Sequence, residues 1–208
     1  MKFIAAVQPY TMVAHLDQIQ DIVQRLDHDE IPGAFVECGV WRGGVVGLMG
    51  LTHLSEQKEP PYRKLVLCDS FEGLPEAKAE LDGEAAMTHT GTCCASLGEV
   101  QQFMQSIVNY PNEYLSWYAG WFKDTMGKAS SEIGPIAFLR LDAGWYESTQ
   151  QCLSALAHLV VPGGMLQFDD YFHWQGCARA VDEWFSNESG RWERLLQYSH
   201  FTLRRLAS

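Results

Sequence analysis

Residues 34–44 read AFVECGVWRGG. An apolar run, Ala34-Phe35-Val36-Glu37-Cys38, leads into a turn bounded by Gly39 and Gly44, and residues 45–54 continue as an apolar helical segment. A strand, a glycine turn and a helix N-terminus in that order form the cofactor corner of doubly wound α/β sheets. The spacing is Glu-x-Gly-x-x-x-Gly, not the Gly-x-Gly-x-x-Gly that seats a pyrophosphate. An ordinary strand-to-helix turn would carry the same pattern, so the neighbouring segments must decide.

Outward from this corner, strand and helix patterns alternate, which predicts a parallel sheet with helices on both faces. Upstream, Met12, Leu16, Ile19, Ile22, Val23 and Leu26 recur at helical spacing over residues 11–27, and Pro32-Gly33 ends that pattern. Downstream, Leu65-Val66-Leu67-Cys68-Asp69 is a second strand, residues 114–119 a third and Ile136 to Asp142 a fourth. Residues 146–160 form a helix stopped by Pro162-Gly163-Gly164, and residues 165–168 are a fifth strand running into Asp169-Asp170. A helix over residues 177–187 follows, then an antiparallel pair over residues 192–197 and 200–206. Residues 73–91 are polar and irregular, the length of a lid or binding loop. Ser96-Leu97-Gly98-Glu99 is a capping box that opens a helix to about residue 109. The expectation is a single domain over residues 1–208, with an N-terminal helical lid (1–32) and a lid loop (73–95).

S-adenosylmethionine has no pyrophosphate, and its ammonium group suits Glu37 at the end of the first strand. Asp69, at the end of the second, is placed to accept hydrogen bonds from ribose hydroxyls. Gly120-Trp121-Phe122, after the third, can set an aromatic ring against an adenine. Asp142 ends the fourth strand and Asp169-Asp170 the fifth. Carboxyl ends of neighbouring parallel strands face one crevice, and carboxylates converging there repel unless something positive lies between them. Mg²⁺, with its preference for oxygen ligands, fits that need. In the opposing reading, one aspartate caps a helix and another pairs with Arg140 or Arg179. His173 is a candidate base or substrate contact, and Trp145 and Trp174 are candidate pocket walls. The other six histidines show no ligand spacing and are assigned to surface or core.

Bulk properties bound the partners. The 208 residues carry a formal charge of −11, with 47% hydrophobic and 20% charged residues. So acidic a chain lacks the clustered Lys and Arg that phosphate backbones require, which argues against nucleic acid. No apolar stretch reaches the ~20 residues of a membrane span, and the N-terminus lacks the design of a signal peptide. None of the six cysteines is spaced as CxxC, which argues against zinc and for a reducing, cytoplasmic setting. Cys38 and Cys68 are expected to be buried thiols, and Cys93-Cys94 is the one pair with redox potential. Asn187-Glu188-Ser189 fits the glycosylation pattern but has no secretory context.

Taken together the segments resemble the macrocin O-methyltransferase family of metal-dependent, S-adenosylmethionine-dependent sugar O-methyltransferases. The resemblance is carried by Ile31-Pro32-Gly33 with residues 35–44, Asp69-Ser70-Phe71-Glu72-Gly73-Leu74-Pro75, Gly120-Trp121-Phe122-Lys123-Asp124-Thr125, Leu139-Arg140-Leu141-Asp142 with Tyr146-Glu147-Ser148-Thr149, and Asp169-Asp170-Tyr171 with Gly176-Cys177. Tyr10-Thr11-Met12 resembles the family's N-terminal segment, which folds over the cofactor. The resemblance implies a class I methyltransferase, Rossmann-like fold with a mostly parallel seven-stranded sheet. It implies a cofactor site of Thr11, Met12, Glu37, Gly39, Val40, Trp41, Gly43, Asp69, Ser70, Phe71, Gly120, Trp121 and Phe122, and Mg²⁺ held by Asp142, Asp169 and Asp170. Relatives commonly self-associate, so a homo-oligomer is also implied.

One departure bears on mechanism. The family's Leu-Arg-x-Asp-Gly-Asp-x-Tyr-Glu-Ser becomes Leu139-Arg140-Leu141-Asp142-Ala143-Gly144-Trp145-Tyr146-Glu147-Ser148. Gly144 stands where relatives carry the acid thought to be the base, and Trp145 adds bulk. The expectation is a Mg²⁺-dependent O-methyltransferase of a small natural-product-like hydroxyl, phenol or carboxylate. His173 or Glu147 would replace the base, or the acceptor would need none. A catalytically silent S-adenosylmethionine-binding protein of the same fold is the alternative. A nicotinamide-dependent dehydrogenase is a third reading, opposed by the missing pyrophosphate fingerprint.

Overall fold

The strand that opens the glycine turn, β1 (Ala34–Cys38), lies near the centre of a seven-stranded sheet in the computed structural model, which describes residues 2–207. The other strands are β2 (Leu65–Asp69), β3 (Leu115–Ala119), β4 (Ile136–Leu141), β5 (Val160–Phe168), β6 (Trp192–Arg194) and β7 (Phe201–Arg205). Their order is β3-β2-β1-β4-β5-β7-β6. Strands β1 to β5 pair in parallel, and β7 is antiparallel to both β5 and β6. All of β1 and β4 is buried, as expected where helices cover both faces.

Helices α1 (Lys2–Val7), α2 (Leu16–His28), α3 (Gly44–Glu56) and α5 (Leu97–Phe103) form one layer, packed on Phe35 and Phe138. Helices α6 (Phe122–Glu132), α7 (Tyr146–Leu156) and α8 (Gln175–Glu188) form the other, on Val36, Leu139 and Leu166. The chain leaves β1 toward β2 on one side and later returns to β4 on the other. That reversal opens a crevice at the carboxyl ends of β1 and β4, where ligands bind in open α/β sheets. The architecture is the expected class I methyltransferase arrangement.

The capping box is present. Ser96 Oγ accepts from the Glu99 amide, and the Glu99 carboxylate accepts from the Ser96 amide. Boundaries differ in three places. The helix expected over residues 11–27 starts only at Leu16, because residues 11–15 are not helical and Met12 is exposed; α1 and a 3₁₀ turn (Gln8–Tyr10) precede it. β5 begins at Val160, ahead of Pro162-Gly163-Gly164, because the register slips between Ile136 and Phe138 and the bulge accommodates the proline. The lid loop is not irregular throughout: it contains α4 (Ala79–Asp82) and a 3₁₀ turn (Glu84–His89). Among the described residues no helix is long and apolar enough to cross a membrane. All six cysteines are free, with Cys38 and Cys68 buried and Cys93 and Cys94 exposed.

Candidate active site

A cavity of about 1440 Å³ lies over the carboxyl ends of the strands. Ligand pockets usually measure ~300–1,000 Å³, so this one has room for a cofactor and an acceptor together. Its floor is built by close backbone approach. A Cβ on Gly39 would fall 1.7 Å from the Asp142 carbonyl oxygen, and Gly39 itself has φ +86°. Only glycine lets the turn after β1 touch the end of β4. Asp69 then fixes the turn: Oδ2 accepts from the Val40 and Trp41 amides at 2.6 and 2.9 Å, and Oδ1 from the Phe71 amide at 2.7 Å.

Glu37, Arg140, Gln167 and Thr202 occupy matching register positions on β1, β4, β5 and β7. They form a buried polar belt across the sheet. At its centre Arg140 is fully buried. Nη1 donates to Glu37 Oε1 at 2.8 Å and to Asp142 Oδ2 at 3.0 Å, and Nη2 pairs with Asp169. Glu37 Oε2 accepts from the Val46 amide at 2.9 Å. Asp170 Oδ2 accepts from the Gly144 amide at 2.8 Å. Three carboxyls thus share one guanidinium, with Asp170 beside them. Burial, with Arg140 opposing, pushes Glu37 up to about 8. Burial and the neighbouring Asp169 push Asp142 up to about 6. Burial and both other aspartates push Asp170 well above the carboxylate range. Asp169 is instead held at about 2: burial opposes ionisation, but Arg140 and His200 outweigh it.

The donor set fits a hard cation. One oxygen from each of Asp142, Asp169 and Asp170 can be chosen so that all lie within 4.8 Å of one another. Each aspartate has one oxygen tied to a protein donor: Oδ2 of Asp142, Oδ1 of Asp169 and Oδ2 of Asp170. Among the described residues the second oxygen of each has no hydrogen-bond partner. Pinned carboxylates with a free oxygen apiece, in excess over the local positive charge, are what Mg²⁺ requires. The pairing with Arg140 that the opposing reading expected is present for both Asp142 and Asp169, and it leaves the two carboxylates converged with Asp170.

The lid closes one side. Trp145 is almost fully buried, and its indole N–H donates to the Pro75 carbonyl at 2.8 Å. It packs with Ala77, Ala86 and Trp174. Asp82 accepts from the Tyr146 amide and ties the lid to the start of α7. Gly144 has φ +70°, and a Cβ there would meet Leu74 Cδ2 at 2.9 Å. The lid thus presses on the position where the acid is missing. Glu147 is half-exposed and pairs with Lys78 of the lid.

Most of the expected site residues lie on the cavity wall: Thr11, Met12, Glu37, Gly39, Val40, Trp41, Asp69, Ser70, Trp121, Phe122, Asp142, Asp169, Asp170 and His173. Gly43, Phe71 and Gly120 stand behind it. Gly43 faces Val100 and Phe103, Gly120 faces Thr125, and Phe71 packs into the apolar layer. Glu37 has both carboxylate oxygens committed, to Arg140 and the Val46 amide, so it braces the turn from beneath. Trp145 is an anchor for the lid more than an open wall. Sequence reasoning missed His200, which lines the cavity and places Nε2 3.0 Å from Asp169 Oδ1. No local motif announces it, because the contact arises only when β7 pairs with β5.

Residues 6–195 match the macrocin O-methyltransferase family. The chain is 34% identical over 168 residues to the 8-demethyl-8-(2,3-dimethoxy-alpha-L-rhamnosyl)-tetracenomycin-C 4'-O-methyltransferase of Streptomyces olivaceus, covering 78% of this chain and 62% of that relative. It is 33% identical over 182 residues to the demethyldecarbamoylnovobiocin O-methyltransferase of Streptomyces niveus, covering 84% and 67%. The chain thus spans about two thirds of the length of these relatives. Among solved structures, the O-methyltransferase NovP matches with a TM-score of 0.84 at 29% identity, over 96% of this chain and 83% of that one. An O-methyltransferase from Bacillus cereus, solved in complex with SAH, shares the fold at TM-score 0.59 and 11% identity, over 100% and 91%. Because the family match runs from α1 through β6, and so takes in the glycine turn and all three aspartates, the chain belongs to the macrocin O-methyltransferase family.

Proposed function

We propose that the chain is an S-adenosylmethionine-dependent, Mg²⁺-dependent O-methyltransferase acting on a hydroxyl of a small natural-product-like acceptor. The observation that carries this reading is the trio of aspartates, each with one oxygen pinned and one free, in the same cavity as the glycine turn. Relatives named for O-methylation of a rhamnosyl-tetracenomycin, demethyldecarbamoylnovobiocin and mycinamicin III support the class of acceptor.

Asp142, Asp169 and Asp170 would hold Mg²⁺, which when bound would lower the pKa of an acceptor hydroxyl, and S-adenosylmethionine would supply the sulfonium methyl group. The chain's residues position the reactants. Asp69 stands where ribose hydroxyls are read, with Ser70 beside it. Trp121 and Phe122 offer an aromatic wall to the adenine, and Thr11 and Met12 cover the pocket from the N-terminal side. Positioning supplies much of the rate, because transfer needs oxygen, methyl and sulfur in line. Gly144 offers no acid and Glu147 is engaged by Lys78; His173, on the cavity wall beside Asp170, is the group we assign to receive the proton. An acidic acceptor, such as a phenol, needs no such group.

The test is transfer of a labelled methyl group to a pathway-type acceptor, with and without EDTA. Turnover undiminished by EDTA and by Asp169→Ala sinks the metal role, and full activity in His173→Ala removes that residue as base. Gly144 favours a second reading, a silent cofactor-binding protein. Calorimetric binding of S-adenosylmethionine without transfer to any acceptor would support it. The cytoplasm, and self-association into a homo-oligomer, remain part of this proposal.

A further inference from the structure

The family match takes in the three aspartates but ends at residue 195, ahead of β7, and the residue just before β7 reaches the site. β5 and β7 are antiparallel, with Phe168 opposite Phe201. The next residue on one strand and the preceding residue on the other, Asp169 and His200, therefore face each other. His200 is 9% exposed, and its Nε2 lies 3.0 Å from Asp169 Oδ1. Arg140 approaches the same oxygen from β4. The guanidinium of Arg140 and the imidazole Nε2 of His200 both lie against Oδ1, and among the described residues Oδ2 has no hydrogen-bond partner.

The hairpin is itself clamped. Ser199 donates its amide to Gln18 Oε1 at 2.7 Å, and the Gln18 amide donates to Ser199 Oγ at 2.9 Å. The Tyr198 hydroxyl donates to Asp21 at 2.7 Å. The His200 ring meets His15 edge-on at 6.4 Å, so it is held between the N-terminal segment and β5.

From this geometry we infer that His200 is a positioning residue for the cation: it fixes the rotamer of Asp169 so that Oδ2 is presented toward Asp142 and Asp170. The inference rests on the metal reading above. Partners that orient a ligating group commonly contribute ~10–100-fold to metal affinity. Arg140 divides its donors, with Nη1 shared between Glu37 and Asp142 and Nη2 left for Asp169.

The test counts Mn²⁺ bound to the whole chain by electron paramagnetic resonance of the free ion. Thermal unfolding in EDTA and S-adenosylhomocysteine affinity in EDTA are measured alongside. His200→Phe keeps ring volume and removes the donor, and is expected to weaken Mn²⁺ binding by ~10–100-fold, in line with other outer partners of ligands. His200→Gln can still place an amide N–H on Asp169 and is expected to retain most of the affinity. S-adenosylhomocysteine affinity in EDTA is expected to stay at the wild-type value in both. Wild-type Mn²⁺ affinity in His200→Phe overturns the inference. So does equal weakening in both variants accompanied by equal loss of stability in EDTA, which would mark a packing role. Absence of saturable Mn²⁺ binding to the wild type, or binding that persists in Asp170→Asn, overturns the metal reading and this inference with it.

Discussion

Two largely buried Arg–Asp–His groups sit at opposite ends of the sheet. At the amino ends of the strands, Arg63 Nε bonds Asp27 Oδ1 at 2.6 Å and His53 Nδ1 bonds Asp27 Oδ2 at 2.8 Å. Arg63 Nη1 and Nη2 donate to the Gly33 and Leu26 carbonyls, and its backbone amide donates to His53 Nε2. Each oxygen of Asp27 has its own donor. At the carboxyl ends, Arg140 and His200 both crowd onto Oδ1 of Asp169, with Asp142, Asp170 and Glu37 beside it. The first group balances its charges and closes on itself. The second carries excess negative charge, leaves oxygens free and opens on a cavity. The same three residue types thus make a structural pin in one place and a binding site in the other. Stoichiometry and the distribution of donors over oxygens separate the two.

Removing one carboxylate from each group is the strongest way to break the contrast. Asp27→Ala leaves the largely buried Arg63 with carbonyl partners but no counter-charge, and breaking a buried pair costs up to ~3–5 kcal/mol. Denaturant unfolding should show that loss with or without Mg²⁺. Asp170→Asn should do the opposite in EDTA and stabilise the protein, since it removes a carboxyl held among like charges. It should also abolish the stabilisation by Mg²⁺, which for the wild type at a hundredfold excess over Kd is ~2.7 kcal/mol. Equal destabilisation by the two substitutions would erase the distinction between the two groups.

The pH dependence sharpens it. Asp142 stands at about 6 in the fold against an ordinary 3.8. Between those values the native state holds a proton that the unfolded chain has lost. Metal-free stability contributed by this group therefore falls as pH rises through that window. Ligating carboxylates must be ionised, so the Mg²⁺-induced rise in Tm should shrink below about pH 6. Melting curves of wild type minus Asp142→Asn, with and without Mg²⁺, isolate the effect. A Mg²⁺ increment independent of pH would contradict the charge excess.

Smaller effects lie outside both groups. Trp145→Phe loses the hydrogen bond to the Pro75 carbonyl, about 1 kcal/mol, and should raise the rate of lid proteolysis. Ser96→Ala removes one half of a capping box, also ~1 kcal/mol by helix-cap measurements, and should leave Mg²⁺ binding untouched.

Much of this was written locally in the chain. The order of strands and helices, the turn after β1, the capping box at Ser96 and the aspartates at two strand ends follow from periodicity and from residues a few positions apart. The strand-end aspartates converge because adjacent parallel strands must bring their carboxyl ends to one crevice. The proline of β5 misled the boundary, because a bulge that tolerates it depends on the neighbouring strand. Gly144 could be read as a missing acid, but only the fold brings Leu74 of the lid onto it. Glu37 could be read as a strand-end acid, but only the register of β1 with β4 commits it to Arg140. His200 was invisible, since it is 31 residues from Asp169 and carries no motif; antiparallel pairing alone makes them neighbours. Sequence determined which charges reach the carboxyl end of the sheet. Tertiary structure decided which of their oxygens are occupied, because hydrogen bonds between side chains on different strands depend on register, and register is a property of the whole sheet.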